Sequence, residues 1–138
     1  MDLNSQMNKI RVTVKSIEEA EGITKITSNF ASSSLTAITL ELWQNIKVNQ
    51  DAFFVFKETE VGIAKDFKGQ VSFPNVLDGK IVDLDIGKIL SKVVMKVENL
   101  NISSIITTSS VKILNLEIND YVKAFVKGTE VSIEEIDE

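Results

Sequence analysis

The 138-residue sequence contains no cysteine, no histidine, one proline and one tryptophan. Without cysteine the chain can form neither disulfide bonds nor thiolate metal sites. Without histidine it lacks the commonest general base of enzymes and the commonest metal ligand, so we expect no cation held directly by protein ligands.

Positive charge comes almost entirely from lysine, because Arg11 is the one arginine among 15 basic residues. Aspartate and glutamate number 20, the net charge is -5 and aromatic residues make up 7% of the chain. This composition is unfavourable for a general nucleic-acid-binding protein, so we expect no nucleic-acid partner. Anion binding would require a local group of hydrogen-bond donors.

Long apolar runs are also absent, which argues against a membrane-spanning helix and a membrane partner. The polar residues 1–5 do not resemble a signal peptide. A cytoplasmic location is the expectation.

An internal repeat is present. Residues 127–133 read KGTEVSI and residues 57–63 read KETEVGI, with five of seven positions identical at a spacing of 70 residues. Such a repeat predicts tandem copies of one structural unit. We predict one module over residues 1–65 and a second over 66–138, joined by a charged linker at 64–70. Units of this size are marginally stable alone, so they are expected to share a core or to oligomerise.

Hydrophobic alternation predicts mostly strands. In the first copy they fall at 10–15, 23–30, 35–40, 52–56 and 60–63, with a helical turn at 41–48 that directs Leu42, Trp43 and Ile46 to the core. The second copy restarts near Leu77 and Ile81, with strands at 89–97, 102–107, 121–126 and 129–133 and a helix at 110–116. The predicted fold class is all-β: two tandem OB-type Greek-key barrels, each with one short helix.

The fourth strand of each copy carries apolar residues on both faces. In the first copy, Phe54 and Phe56 lie on one face and Phe53 and Val55 on the other, and in the second copy Phe125 shares a face with Lys123 and Lys127, opposite Val122, Ala124 and Val126. Because exposed apolar strand faces promote aggregation, we expect the outer face to be covered by the sister unit or by another subunit.

Several segments together resemble a known family. Residues 72–81 (SFPNVLDGKI) resemble the opening S-A-R-N-x-L-x-G-x-V of a Mop (TOBE) domain, and residues 5–10 (SQMNKI) resemble the same opening in the first copy. The second half of the domain is resembled by residues 106–110, 114–116, 119–120, 122–124 and 127–131. Mop domains are the molybdate-binding modules of the molbindins, also called molybdenum-pterin-binding proteins.

The resemblance implies a homotrimer of tandem OB-type modules that binds molybdate or tungstate between modules, catalyses no reaction and needs no organic cofactor. Related modules form the last part of the chain in molybdate-responsive repressors and in molybdate transporter ATPases. Because residues 1–138 show neither a helix-turn-helix domain nor a phosphate-binding loop, a stand-alone storage protein is the better match. The alternatives are an effector-binding module of a regulator or transporter and a nucleic-acid-binding OB protein.

The resemblance also implies a set of oxyanion-binding residues, which supply hydroxyl, ammonium and backbone N–H donors. They are Ser5, Gln6, Lys57, Glu58, Ser72, Phe73, Ser110, Lys127 and Gly128. Leu42 takes the place of Ser110 in the first copy, and Met7 and Pro74 replace the family's arginine.

Donor-only sites suit molybdate, a tetrahedral dianion with four acceptor oxygens and no proton near neutral pH. Phosphate partly keeps a proton at that pH and therefore needs an acceptor. Two other interpretations stay open: serines before a short helix often serve as N-caps, and strand lysines often protect sheet edges.

Overall fold

The computed structural model describes residues 7–40 and 45–136. The described chain contains ten strands, one α-helix (α1) and two 3₁₀ turns. The strands β1 to β10 are Met7–Ala20, Ile23–Phe30, Ser33–Thr39, Asp51–Lys57, Gly62–Lys65, Asn75–Ile86, Leu90–Val97, Leu100–Thr107, Tyr121–Val126 and Ser132–Glu135. The helix α1 is Thr108–Ile113, and the 3₁₀ turns are Glu58–Glu60 and Gly128–Glu130.

The strands form two antiparallel five-stranded sheets with the same internal order. One sheet is ordered β10-β4-β1-β2-β3 and the other β5-β9-β6-β7-β8. Each half of the chain therefore supplies four strands to its own sheet and its last strand to the other sheet. Gly62 of β5 pairs with Phe125 of β9, and Ser132 of β10 pairs with Val55 of β4.

The prediction of a nearly all-β chain is confirmed, and the predicted bounds of β2 and β9 agree with the structure. The strand predicted at 60–63 instead begins at Gly62, because residues 58–60 form a 3₁₀ turn. Helix α1 begins at Thr108, two residues before the predicted start, because the Thr107 side chain caps it. Leu42 and Trp43 lie outside the described residues, whereas Ile46 is buried as predicted.

Alternating burial along β1 and β6 places one continuous core between the sheets. Ile10 and Val14 of β1 and Ile81 of β6 are fully buried, in a single hydrophobic cluster drawn from both halves. At Gly79 an added Cβ would lie 3.0 Å from Cγ of Met95. In the first half, the positions equivalent to Gly79 and Met95 are occupied by Val12 and Ser28. The larger side chain of each pair therefore lies on β1 in the first half, as Val12, and on β7 in the second half, as Met95.

The outer face of β9 is covered differently from the expectation. The ring of Phe125 lies 5.6 Å, between centroids, from both Phe67 and Phe73. Phe67 belongs to the segment that connects the halves, and Phe73 precedes β6. The expectation that a sister unit or another subunit must cover Phe125 was wrong, because this connecting segment folds back over the strand.

The structure also bears on membrane crossing. No helix in residues 7–40 and 45–136 is long and apolar enough to traverse a bilayer.

Candidate functional site

The repeated motif forms two equivalent corners, at which a 3₁₀ turn of one half packs on the third strand of the other half's sheet. The turn Gly128–Glu130 packs on β3, and the turn Glu58–Glu60 packs on β8. Lys127 has φ -67° and ψ 144°, and Lys57 has φ -73° and ψ 146°, so the backbone enters both turns in the same conformation. We call them the Gly128 corner and the Glu58 corner.

At the Gly128 corner the opening of β6 meets β3. The side-chain amide of Asn75 donates to the carbonyl oxygen of Thr36 at 2.8 Å, and its Oδ1 accepts from the Thr36 N–H at 2.6 Å. A Cβ added to Gly128 would lie 3.2 Å from Ile38 Cγ1 and 3.3 Å from Pro74 Cγ. Buried amide pairs of this kind fix the position of a strand end, so the turn and the opening motif are held together.

At the Glu58 corner the same pairing is made by Asn8, whose amide donates to the Ser103 carbonyl at 2.8 Å and accepts from its N–H at 2.9 Å. The Ser104 hydroxyl donates to the Val61 carbonyl at 2.7 Å. The side chain of Glu58 is 4% exposed and forms an ion pair with Nζ of Lys92 at 3.0 Å. A buried carboxylate of this kind is stable because it is paired.

The two motif lysines, Lys57 and Lys127, are exposed at the ends of β4 and β9. Neither ammonium group forms an ion pair with another described residue. The first N–H groups of a 3₁₀ turn have no partner within the turn, which leaves those of Gly128 and Thr129 as donors next to Lys127. The Gly128 corner thus brings a cation and backbone donors together.

The opening-motif residues have separate surroundings. Ser72 is exposed, and Phe73 is half-buried against Phe125. Both precede Pro74 and Asn75 directly, so they belong to the Gly128 corner. Ser5 and Gln6 lie outside the described residues.

Ser110 belongs to a hydroxyl cluster at the start of α1. Its hydroxyl is 2.7 Å from Oγ1 of Thr107, and its N–H donates to the same oxygen at 3.1 Å. The hydroxyl of Ser109 also donates to it at 3.1 Å. Ser110 follows β8, the strand on which the Glu58 turn packs, and no hydrogen bond between described residues joins it to Lys127.

Sequence reasoning did not select Asn8 and Asn75, although both stand at the fourth position of the quoted opening motif. It also did not select Lys92, whose role depends on a contact with Glu58 that is distant in the sequence. The signal for Lys92 was the repeat itself, because Lys25 occupies the same position on β2.

A separate cleft is lined by residues outside the two corners. Its volume is about 460 Å³, and Lys123 in its wall forms an ion pair with Asp78. Its lining residues are Ala64, Asp66, Phe67, Asp78, Gly79, Lys80, Lys96, Tyr121, Val122 and Lys123. Lys123 therefore shares a strand with the Gly128 corner but faces a separate cleft.

Comparison with known proteins shows the fold. Neither a protein-family model nor a curated protein matches the sequence. Among solved structures, the chain is similar to ModG, a cytoplasmic molybdate-binding protein crystallised with molybdate bound, with a TM-score of 0.89 and 20% sequence identity. The match covers 99% of this chain and 100% of that chain. The chain therefore has the fold of ModG over the whole length of both proteins.

Proposed function

We propose that this protein is a cytoplasmic, non-enzymatic oxyanion-binding protein that takes up molybdate or tungstate for intracellular storage and homeostasis. The observation that carries the proposal is the end-to-end match in fold with a protein whose crystal structure holds molybdate. The resemblance of both openings and both KxTEV segments to Mop domains supports it independently.

The donor chemistry of the Gly128 corner suits a dianion. The Lys127 ammonium supplies charge, and the first N–H groups of the 3₁₀ turn supply neutral donors. Ser72 and the backbone of Phe73 complete the set of donors that we propose for this corner. No carboxylate belongs to the ligand set, which favours fully deprotonated molybdate over phosphate.

The Glu58 corner is the equivalent position of the first module, and the corresponding residues proposed there are Lys57, the backbone N–H of Glu58, Ser5 and Gln6. Ser110 is the further hydroxyl donor in the proposal, next to this corner through β8. The organisation proposed is two tandem OB-type modules, residues 1–65 and 66–138, that assemble into a homotrimer.

Exposed apolar side chains support assembly. Ile113 at the end of α1 is 82% exposed, and Ile89 before β7 is 75% exposed. The N–H of Thr108 donates to the carbonyl of Ile89 at 2.8 Å, so Ile89 lies beside the start of α1 and Ile113 lies at its end. These two side chains are available to a subunit contact, which would remove their apolar surface from water.

Isothermal titration tests the function. Molybdate and tungstate are expected to bind with saturating heats at micromolar protein concentration, whereas phosphate and sulfate at the same concentrations bind much more weakly. Equal heats for all four anions would contradict a formed donor-only site. A gel shift at low salt with single-stranded DNA tests the nucleic-acid alternative and is expected to show no complex.

A further inference from the structure

The ion pair between Lys92 and Glu58 shows how far a lysine side chain extends from this position of the sheet. Lys92 lies on β7 directly opposite Ile105 of the edge strand β8, and its Nζ extends to the Glu58 carboxylate at 3.0 Å. Glu58 is the first residue of the 3₁₀ turn that packs on this strand. A lysine at this position therefore places its charge beside the start of the turn.

Lys25 occupies the equivalent position in the other sheet. It lies on β2 directly opposite Ile38 of the edge strand β3. Ile38 is the residue against which the start of the other turn packs, since a Cβ at Gly128 would be 3.2 Å from its Cγ1. Lys25 is exposed and forms no ion pair with another described residue.

The two corners differ in charge at the first position of the turn. Glu18 lies opposite Lys25, and Asp85 lies opposite Lys92, so the carboxylates on the neighbouring strands are matched. The motif lysines Lys127 and Lys57 are matched as well. The difference is at the first position of the turn, where the Glu58 corner carries a carboxylate and the Gly128 corner a hydrogen atom.

We propose that Lys25 is an oxyanion-binding residue of the Gly128 corner, and that the Glu58 carboxylate takes the place of the oxyanion at the other corner. The inference rests on the proposed function and refines it: of the two equivalent corners, the Gly128 corner takes up the oxyanion, and the Glu58 corner is filled by its own carboxylate. At the Gly128 corner, Lys25 and Lys127 converge on the start of the turn, and a dianion balances their two charges. At the Glu58 corner, the chain itself supplies an anion to Lys92, and a second anion beside it would be repelled.

This assignment makes the two corners unequal in function. The Gly128 corner binds the oxyanion, and the Glu58 corner is closed by an intramolecular ion pair. Because the desolvated carboxylate is held by a half-buried lysine, opening the corner would leave an unpaired buried charge. The Lys92–Glu58 ion pair therefore keeps the Glu58 corner closed in the folded protein.

Titration of surface variants with sodium molybdate tests the role of Lys25. Lys25→Ala is expected to weaken binding about ten- to a hundred-fold, the effect of removing one charge-assisted hydrogen bond. Lys15→Ala, an exposed lysine of the same sheet, removes the same net charge and is expected to change the Kd less than about two-fold. Equal effects of the two variants would overturn the role of Lys25.

A matched pair at Gly128 tests the position of the anion. Gly128→Glu places a carboxylate where Glu58 stands in the other corner and is expected to abolish molybdate binding. Gly128→Gln adds nearly the same volume without charge, so it is expected to bind more tightly than Gly128→Glu by about ten-fold or more. Equal loss in both variants would show that volume alone is responsible and would overturn the inference.

The converse change opens the other corner. Glu58→Gly is expected to raise the number of molybdate ions bound per chain, while Glu60→Gln, in the same turn, leaves it unchanged. Circular dichroism establishes that each variant is folded, and the exposed Lys25→Ala variant tests the proposal independently of any loss of fold at Glu58. If the parent binds molybdate and folded Glu58→Gly binds the same number of ions per chain, the proposed closure of the Glu58 corner is overturned. Absence of molybdate and tungstate binding in the parent and in every variant overturns the proposed function itself.

Discussion

The ammonium group of Lys65 lies 3.0 Å from the carboxylate of Asp120 and 2.7 Å from the carbonyl oxygen of Asn115. Lys65 ends β5, the strand that the first half supplies to the second sheet. Asp120 and Asn115 lie between α1 and β9 of the second half. The exchanged strand is thus fastened by charge and by a hydrogen bond at its end, next to its backbone pairing with β9.

This ion pair predicts an acid-sensitive stability. The hydrogen bond from Lys65 and the N–H of Glu117 lower the pKa of Asp120 below its ordinary value of 3.8. A carboxyl with a lowered folded-state pKa contributes stability that is present above its unfolded pKa and is lost as the pH falls through its folded pKa. We expect the unfolding temperature to fall below about pH 4, and to fall less steeply in Asp120→Asn. Differential scanning calorimetry from pH 6 to pH 2 measures both slopes.

Glu19→Gln is the control for this experiment, because Glu19 is exposed and has no ion pair with another described residue. It is expected to keep the parent's slope. An Asp120→Asn variant with the parent's slope would contradict the role of the ion pair. The pKa of Asp51 is also lowered, first by its hydrogen bond with Thr13 and then by Arg11. Asp51 therefore also contributes stability that is lost as the pH falls.

The motif lysine Lys127 is expected to contribute strongly to oxyanion affinity. Lys127→Ala should weaken molybdate binding by about ten- to a hundred-fold, because it removes one charge-assisted hydrogen bond. Lys123→Ala should have a much smaller effect, since Lys123 is paired with Asp78 in a separate cleft. Isothermal titration of both variants distinguishes a formed site from general attraction, and equal losses would indicate general attraction.

Ser110 has two interpretations that a pair of variants separates. If its hydroxyl binds the oxyanion, Ser110→Ala loses measurable affinity while Thr107→Ala, which removes the N-cap, costs mainly stability of about 1 kcal/mol. The observed hydrogen bond between the two hydroxyls makes Ser110 part of the capping cluster as well. Molybdate titration together with urea unfolding of both variants measures the two effects, and parent-like affinity in Ser110→Ala removes the residue from the site.

The corner at Gly128 is expected to depend on Asn75 for stability. Asn75→Ala leaves the buried N–H and carbonyl of Thr36 without their side-chain partner, and each unsatisfied group costs about 1–3 kcal/mol. We expect the free energy of unfolding in urea to fall by about 2 kcal/mol or more. Asn101→Ala, an exposed strand residue, is the control and should change stability little.

Assembly is the remaining prediction. Light scattering is expected to give the mass of a trimer at micromolar concentration, and Ile113→Asp should shift the distribution toward smaller species. Lys112→Ala, on the same short helix and also exposed, should leave the mass unchanged. A well-folded monomer for the parent would contradict the assembly that we propose.

Strand positions were predictable because they depend on local alternation. The burial of Ile10, Val12 and Val14 follows from their period of two, and the repeat placed Leu77 and Ile81 at the equivalent positions. The exchange of β5 and β10 was not predictable, because the last strand of either copy follows the same motif and could pair with either sheet. Tertiary packing decides which pairing forms.

The residues proposed for the site were selected from local sequence signals for a similar reason. The choice of the motif residues Lys127 and Gly128 follows from the resemblance, and in the structure Gly128 lies next to Pro74. Glu58 was selected for its backbone N–H, but its side chain is buried against Lys92, and that contact arises only when β8 packs on the turn. Side chains recruited from another strand carry no local signal in the sequence.

The strand exchange has a consequence for synthesis on the ribosome. The first sheet is built around β1 and β4, yet its edge strand β10 consists of residues 132–135. A nascent chain in which β1 to β4 have been synthesised cannot complete this sheet until residues 132–135 have left the ribosome. Until then, Val55 and Phe53 of β4 are paired with β1 on one side only, and the open edge can pair with another nascent chain. We therefore expect the first sheet to be completed only after the second half of the chain has been synthesised.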